Sequence, residues 1–347
     1  MTKKLTVLIS IIVLVSVLLA ACAPAAAPAP AEKKFTACNV TDTGGVDDKS
    51  FNATIWKGAQ DAATEYGIEA KFLESKEVAD FEKNLNAFVE EKCDIIVAAG
   101  YLLGDATKVS AEANPEMKYA IVDFAYDPTI PNVVGLVYQT DEAAFLAGYL
   151  AAGMTQTGKV GTFGGLPIPT VTIFMKGFVE GVDYYNAQKG TAVEVLGYDL
   201  ADETKGLFSM SFDDQAKGKE LAISLMDEGA DIIMPVAGPV GLGAAAAAKE
   251  RGNALIIGVD YDWYVSAPEY NSITLTSVLK KMDLTVAKAI KSVMDNQFEG
   301  GVSVGTLAND GVGIASYHDL DASVPAELKA EVDALKAGII DGSIKLK

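Results

Sequence analysis

Histidine, cysteine and basic side chains are scarce in this 347-residue sequence. The chain has one histidine, three cysteines, and 28 lysines and arginines against 47 aspartates and glutamates, which gives a formal net charge of −19. Because contact with phosphates requires a basic face, we expect no nucleic-acid partner. The histidine is His318, and the sequence holds no Ser-His-Asp set, Cys/His cluster or Walker loop. These absences predict a protein that is not an enzyme and that has no cofactor and no metal.

The first 34 residues have the pattern of an exported, lipidated protein. Two lysines precede the apolar residues 5–19, and Leu19-Ala20-Ala21-Cys22 then resembles the lipobox, where a signal peptidase cuts before the cysteine. We predict a signal peptide over residues 1–21, a lipid on Cys22, and a Pro/Ala-rich tether within residues 22–34. The expected location is the cell membrane, where the lipid holds the protein facing the periplasm or the cell exterior.

The two other cysteines, Cys38 and Cys93, lie in apolar segments and lack the spacing of metal ligands. We therefore expect two buried thiols. A disulfide between them is the less favoured alternative, because pairing across neighbouring strands needs a register that the sequence does not define.

The rest of the sequence alternates short apolar runs with segments of helical periodicity. The predicted strands lie near residues 35–41, 69–73, 94–99, 119–123, 133–137, 159–163, 192–197, 231–235, 254–259 and 272–277. The predicted helices lie near residues 50–66, 79–92, 103–113, 141–154, 171–187, 213–228, 240–251, 280–297 and 325–338. This alternation predicts an α/β protein with two doubly wound, Rossmann-like lobes.

The alternation of predicted strands and helices also predicts the lobe boundaries. Residues 35–156 form the predicted N-terminal lobe, and about 272–300 return to it. Residues 157–271 form the predicted C-terminal lobe, and the sequence does not assign 301–347 to either. Two such lobes place their strand ends at a shared cleft, where a small molecule is enclosed by hinge closure.

The stretch from Thr41 to Asn52 follows the first predicted strand and leads into the first predicted helix. In open α/β sheets, ligands bind at this end of a strand. Two glycines allow a tight turn, and either Asp48 or Ser50 is suited to cap the helix. Phe51 offers a flat ring beside several carboxylates, which suits a ligand with a planar face and hydroxyl groups.

Several short motifs run along the chain in a fixed order. They are Leu19-Ala20-Ala21-Cys22, Asp48-Lys49-Ser50-Phe51-Asn52, Tyr119-Ala120-Ile121-Val122-Asp123, Ala144-Phe145-Leu146-Ala147-Gly148-Tyr149, Lys159-Val160-Gly161, Ser211-Phe212-Asp213-Asp214, Gly258-Val259-Asp260 and Thr276-Ser277-Val278-Leu279-Lys280. In order and spacing, the sequence resembles the basic membrane protein family, the lipoprotein solute receptors of ABC transporters, and especially its purine nucleoside receptors.

The resemblance implies a type I periplasmic binding protein fold with two lobes joined by a crossing hinge. It implies a purine nucleoside as ligand, and an ABC transporter permease as the partner that receives it. Phe51 and Phe212 are expected to enclose the base, one ring from each lobe. Asp42 and Asp48 are expected near the base edge, where a carboxylate accepts from N–H groups, although a helix cap is an equal alternative for Asp48.

The same resemblance implies where the sugar is held. Asp260 is expected to accept from both ribose hydroxyls, with Asp262 as the alternative if the register differs by two residues. Gly238 brings backbone close to the sugar, and Lys280 donates to a hydroxyl or pairs with an aspartate, although a solvent-facing lysine is the simpler alternative. The predicted ligand-binding set is Asp42, Asp48, Phe51, Asn52, Asp123, Phe212, Gly238, Asp260 and Lys280.

Other functions fit parts of the sequence. Residues 41–48 superficially resemble the Asp-rich calcium loop of nucleoside hydrolases, but Thr41 and Thr43 stand where that motif has its first two acids. A receptor for a sugar also uses aromatic faces and acids. A sensor that reports ligand occupancy uses the same closing cleft, so transport and sensing remain alternatives at this point.

Overall fold

The computed structural model describes residues 33–202 and 205–346, and within them the strands form two six-stranded sheets. The strands are β1 Thr36–Val40, β2 Glu69–Leu73, β3 Ile95–Ala99, β4 Lys118–Val122, β5 Val133–Tyr138, β6 Lys159–Gly164, β7 Glu194–Leu196, β8 Ile232–Val236, β9 Leu255–Asp260, β10 Thr274–Lys280, β11 Gly301–Gly305 and β12 Val312–Ile314. The predicted signal peptide and the lipidation of Cys22 lie outside the described residues.

Helices cover the faces of both sheets. They are α1 Phe51–Tyr66, α2 Ala79–Glu90, α3 Gly104–Ala113, α4 Thr140–Met154, α5 Pro169–Lys189, α6 Gln215–Asp227, α7 Pro239–Arg251, α8 Trp263–Ser266, α9 Met282–Met294 and α10 Ala326–Ile340. None of the helices in residues 33–202 and 205–346 combines the length and apolar character needed to cross a membrane.

The two sheets have matching strand orders. The first sheet runs β11-β5-β4-β3-β1-β2, and the second runs β12-β10-β9-β8-β6-β7. The first is parallel throughout, whereas β12 pairs antiparallel with β10 at the edge of the second. The central strands are buried along their whole length, as expected for parallel strands covered by helices on both faces. The predicted α/β class with two doubly wound lobes is confirmed, and we call them the first and second lobes.

Within the described residues, the chain passes between the lobes three times, and two passages correct the predicted boundaries. Helix α4 was expected in the first lobe with residues 35–156, but it packs against α5, β10 and β12 of the second. Strand β10 was expected to return to the first lobe, but it pairs in parallel with β9. Of the predicted returning segment, about 272–300, helix α9 is the part that lies in the first lobe, where it packs on α1.

Close helix packing explains the position of α4. A Cβ on Gly148 would lie 2.0 Å from the Phe178 carbonyl oxygen, and a Cβ on Gly181 would lie 2.1 Å from the Phe145 carbonyl oxygen. Glycines on both helices therefore let the backbones of α4 and α5 approach closely. The segment that the sequence did not assign is divided: β11 joins the first sheet, β12 joins the second, and α10 packs on α4.

The expectation of two free thiols is wrong, because Cys38 and Cys93 form a disulfide with a Cα–Cα distance of 6.1 Å. Cys38 lies in β1, and Cys93 comes just before β3. The parallel register pairs Cys38 with Ile96, and Cys93 reaches Cys38 from the turn before β3, so that both cysteines lie in a buried cluster. This register was the information that the sequence did not provide.

Candidate ligand-binding site

A pocket lies between the lobes where the carboxyl ends of their strands meet. It encloses about 570 Å³ of empty space, including the part open to solvent. Its lining includes all nine residues of the predicted ligand-binding set. The other lining residues are Gly44, Gly100, Tyr101, Leu102, Ile168, Thr170, Val171, Phe174, Val236, Ala237 and Pro239.

The strand ends supply the charged groups of the pocket. Asp123 directly follows β4, Asp260 is the last residue of β9, and Lys280 is the last residue of β10. Asp123 and Asp260 both have left-handed backbone conformations, with φ of 65° and 68°. A left-handed residue at the end of a strand turns the chain sharply, and aspartate tolerates this conformation better than most side chains.

Asp42 and Asn52 are hydrogen-bonded to each other on the first-lobe side of the pocket. The Asn52 side-chain amide donates to Asp42 Oδ1 at 2.7 Å, and the Asp42 backbone N–H donates to Asn52 Oδ1 at 3.3 Å. The Gly44 N–H also donates to Asp42 Oδ1, at 2.9 Å. Because these donors occupy one oxygen, Oδ2 is the Asp42 atom that is available to a ligand. Asn52 therefore orients the carboxylate of Asp42.

Asp48 satisfies the first turn of α1. Its carboxylate accepts from the backbone N–H groups of Ser50, Asn52 and Ala53 at 2.7 to 2.9 Å, and from the Asn52 side chain at 3.2 Å. This is a capping role, which was the stated alternative to a contact with the base. Burial raises the pKa of Asp48 to about 7, while the three backbone donors act in the opposite direction.

Lys280 is buried among acids and aromatic rings. Its Nζ lies 2.5 Å from Asp123 Oδ2 and 3.7 Å from Asp260 Oδ1, and its side chain is 2% exposed. The rings of Phe51, Tyr138 and Phe174 surround the same ammonium group, with centroids 4.9 to 5.6 Å away. The structure thus rules out the simpler interpretation of a solvent-facing lysine.

The pocket is rich in carboxyl groups. Burial raises the pKa of Asp42, Asp123 and Asp260, and the Lys280 ammonium partly offsets this rise in pKa for Asp123 and Asp260. Among the described lining residues, Lys280 is the single cation. The site therefore suits an uncharged ligand that donates hydrogen bonds, and it disfavours an anion.

Two aromatic residues face the pocket from opposite lobes. Phe51 begins α1 in the first lobe, and Phe212 lies in the loop before α6 in the second. Both are partly buried. Backbone packs closely around them, since a Cβ on Gly100 would lie 3.3 Å from the Phe51 ring and one on Gly165 would lie 2.2 Å from the Phe212 ring.

Sequence reasoning missed Phe174 and misjudged the use of Ser50. Phe174 lies in α5, where an aromatic at helical spacing is indistinguishable from a core residue.

Ser50 was expected only as a helix cap, but its hydroxyl points to the second lobe. Asp262, the alternative to Asp260, caps α8 through the Tyr264 N–H and lies 2.7 Å from His318 Nε2. Asp260 is the acid that lines the pocket.

Comparisons with known proteins agree with this architecture. The chain is 28% identical to a crystal structure of ABC transporter solute-binding proteins from Aeropyrum pernix, with a TM-score of 0.81 and coverage of 90% of this chain and 92% of that one. It is 34% identical to basic membrane protein A of Borreliella burgdorferi, covering 87% of this chain and 84% of that protein. It is 31% identical to the ABC transporter nucleoside-binding protein BmpA of Lactococcus lactis, covering 89% and 88%.

Fold and site together define a two-lobed solute-binding protein with the type I periplasmic binding fold. A family model described as ABC transporter substrate-binding protein PnrA-like matches residues 35–346. The chain belongs to this family, and the resemblance inferred from the sequence motifs is confirmed.

Proposed function

We propose that this protein captures a nucleoside, with a preference for purines, between its two lobes and delivers it to the permease of an ABC transporter. The observation that carries the proposal is the placement of Phe51 and Phe212 on opposite lobes of a pocket that also holds strand-end acids. A planar base fits between two rings, and each stacking contact contributes roughly 1–3 kcal/mol. The name of the Lactococcus lactis relative supports the same class of ligand.

The polar groups divide naturally between base and sugar. Asp42 Oδ2 is available to accept from an N–H group on the edge of the base, because Asn52 and Gly44 occupy Oδ1. Asp260 and Lys280 lie together at the ends of neighbouring strands, where they meet the hydroxyl groups of a ribose. A phosphate would face four buried carboxyl groups, so the site favours the nucleoside over its charged derivatives.

The proposal includes a membrane anchor. A lipid on Cys22 holds the receptor near its permease, on the periplasmic or outer side of the membrane. The acyl chains have to provide the attachment, because a strongly acidic protein gains nothing from anionic lipid headgroups. Cys22→Ala is expected to move the protein from the membrane fraction to the soluble fraction.

The binding test is a calorimetric titration of residues 23–347 with adenosine, guanosine, inosine, cytidine, uridine and ribose. We expect heat from the purine nucleosides and none from ribose. Phe51→Ala is expected to weaken binding by about 10-fold to 100-fold, because a stacking contact is lost. Phe72→Ala is the matched control, since Phe72 is an exposed ring of the first lobe, 41% accessible, outside the pocket lining. Binding of ribose alone would reject the nucleoside proposal.

A further inference from the structure

Two consecutive first-lobe residues reach across the cleft to the second lobe. The Ser50 hydroxyl donates to Asp260 Oδ2 at 3.0 Å, and the Lys49 ammonium donates to Glu269 Oε1 at 2.9 Å. Both residues precede α1, whereas Asp260 ends β9 and Glu269 lies shortly before β10. We call these two contacts the 49–50 clasp. Any separation of the lobes at this edge breaks both of them.

The Ser50 hydroxyl is free to cross the cleft because another residue caps the helix. Serine at the N-cap position ordinarily accepts from the first-turn N–H groups through its side chain. Here the Ser50 side chain makes no such bond, and Asp48 accepts from those N–H groups instead. Ser50 is 1% exposed, and besides Asp260 Oδ2 the second acceptor near its hydroxyl is the Val259 carbonyl at 3.2 Å, which also belongs to the second lobe. Asp48 therefore has the capping role that the sequence left open between Asp48 and Ser50, and the Ser50 hydroxyl contacts the second lobe instead.

The contact determines how Asp260 faces the pocket. Ser50 occupies Oδ2, and Oδ1 lies 3.7 Å from the Lys280 ammonium. A carboxylate held at both oxygens has a defined plane, and its remaining lone pairs point in defined directions. Without Ser50, Oδ2 would lose a buried donor, and the carboxylate would be free to rotate.

We propose that Ser50 is a positioning residue of the ligand site: closure of the lobes brings its hydroxyl onto Asp260 and sets the orientation in which that carboxylate meets the ligand. The Lys49–Glu269 pair is a weaker second contact of the same clasp. This inference rests on the proposed function for the role of Asp260 toward a ligand, whereas the effect on closure is independent of the ligand's identity. Ligand escape then requires the clasp to break, so the clasp slows release.

The first test is stopped-flow measurement of inosine association and dissociation. Ser50→Ala is expected to raise koff about tenfold and to leave kon within about twofold, because a buried hydrogen bond to a charged group is lost only after docking. Thr54→Val is the matched control: the Thr54 hydroxyl lies in the same helical turn but bonds the Ser50 carbonyl and not the second lobe. An unchanged koff in Ser50→Ala, or an equal rise in Thr54→Val, would overturn the proposal.

The exposed Lys49–Glu269 contact gives a second test, in which the substitution is not expected to unfold the protein. Lys49 and Glu269 are each 43% exposed, so Lys49→Met is expected to raise koff by about threefold or less at low salt. The effect should vanish at high ionic strength, where an exposed pair is screened. A salt-independent effect, or none at low salt, would remove Lys49 from the clasp.

A ligand-free measurement separates this inference from the proposed function. Energy transfer between dyes on exposed Glu65 of α1 and exposed Glu220 of α6 reports the distance between lobes. Ser50→Ala is expected to lower the closed fraction relative to Thr54→Val. If the dyes show this shift while inosine fails to bind, the clasp stands and the nucleoside proposal fails. If inosine binds but Ser50→Ala changes neither closure nor koff, the clasp fails and the nucleoside proposal stands.

Discussion

The first lobe lines the cleft with three buried carboxyl groups, Asp42, Asp48 and Asp123, whereas the second lobe offers mostly apolar side chains together with Asp260 and Lys280. The difference arises although the two sheets have matching strand orders. Strands β4 and β9 occupy the same place in their sheets, and both lead into a left-handed aspartate. The lobes are therefore alike at these strand ends.

The lobes differ at the starts of their helices. In the first lobe, α1 is preceded by a polar loop whose acids are held by backbone N–H groups. In the second lobe, α5 and α7 begin with Pro169 and Pro239, and the residues beside them in the lining are largely apolar. One fold thus provides a polar wall and an apolar wall for the same ligand.

The largest effect on stability is expected at Lys280, where the polar and apolar walls of the pocket meet. Lys280→Met leaves Asp123 and Asp260 facing each other without a cation, and we expect a loss of about 4 kcal/mol in the free energy of unfolding at pH 7.5. The loss should be smaller at pH 5, because buried carboxyl groups then take up protons. Urea unfolding at both pH values measures it, with exposed Lys288→Met as control. Equal stability of Lys280→Met and the native protein would contradict the role of Lys280.

A second difference concerns what holds each lobe together. The first lobe has the Cys38–Cys93 disulfide, which closes a loop of sequence separation 55, and the second lobe has no cysteine. Replacing both cysteines by alanine is expected to cost about 3 kcal/mol. Hydrogen exchange should show faster amide exchange in β1 and β3 but not in β8. Equal loss of protection in both lobes would show that the disulfide does not act on the first lobe alone.

The second lobe relies instead on closely packed helices. Gly181→Ala places a Cβ 2.1 Å from a carbonyl oxygen of α4, and we expect a cost of about 2 kcal/mol from overpacking. Gly313→Ala is the control, because no atom lies within 4 Å of its added Cβ and its φ is not in the left-handed region. Thermal unfolding of the two variants tests the comparison. A similar Tm for both variants would show that the contact between α4 and α5 tolerates an added methyl group at Gly181.

The smallest expected effect is the pH dependence of stability that Asp48 contributes in the first lobe. Burial raises the pKa of Asp48 from its ordinary value of 3.8 to about 7, so the folded protein binds more protons than the unfolded chain between these values. This contribution to stability is present below about pH 4 and is lost as the pH rises through about 7. We expect the free energy of unfolding in urea to differ less between pH 5 and pH 8 in Asp48→Asn than in the native protein. Asp47→Asn, which changes an exposed carboxyl group, is the control and should keep the native difference in unfolding free energy between the two pH values.

Much of this architecture could be predicted from the sequence. Alternating apolar runs and helical segments indicate a doubly wound fold, and parallel sheets gather their carboxyl ends at one edge. This is why Asp42, Asp123, Asp260 and Lys280, which are distant in the chain, line one pocket. The binding role of each of these residues stays a prediction.

The rest depends on long-range geometry that local patterns do not encode. Strand β10 is buried along its whole length, and burial on both faces is typical of an inner strand of any parallel sheet, so its sequence does not reveal its lobe. The Cys38–Cys93 bond depends on the register between β1 and β3. Ser50 has the composition of an ordinary helix cap, and only the opposing lobe reveals its partner.

The central claim is that Asp42 of the first lobe contacts the edge of the base and that Asp260 of the second lobe contacts the sugar. Titration of Asp42→Asn and Asp260→Asn with inosine and 2′-deoxyinosine tests it most directly. We predict that the native protein and Asp42→Asn both bind inosine about tenfold more tightly than the deoxynucleoside, and that Asp260→Asn loses this discrimination because it no longer offers a full carboxylate to the 2′-hydroxyl. Discrimination that survives in Asp260→Asn but disappears in Asp42→Asn would contradict the account.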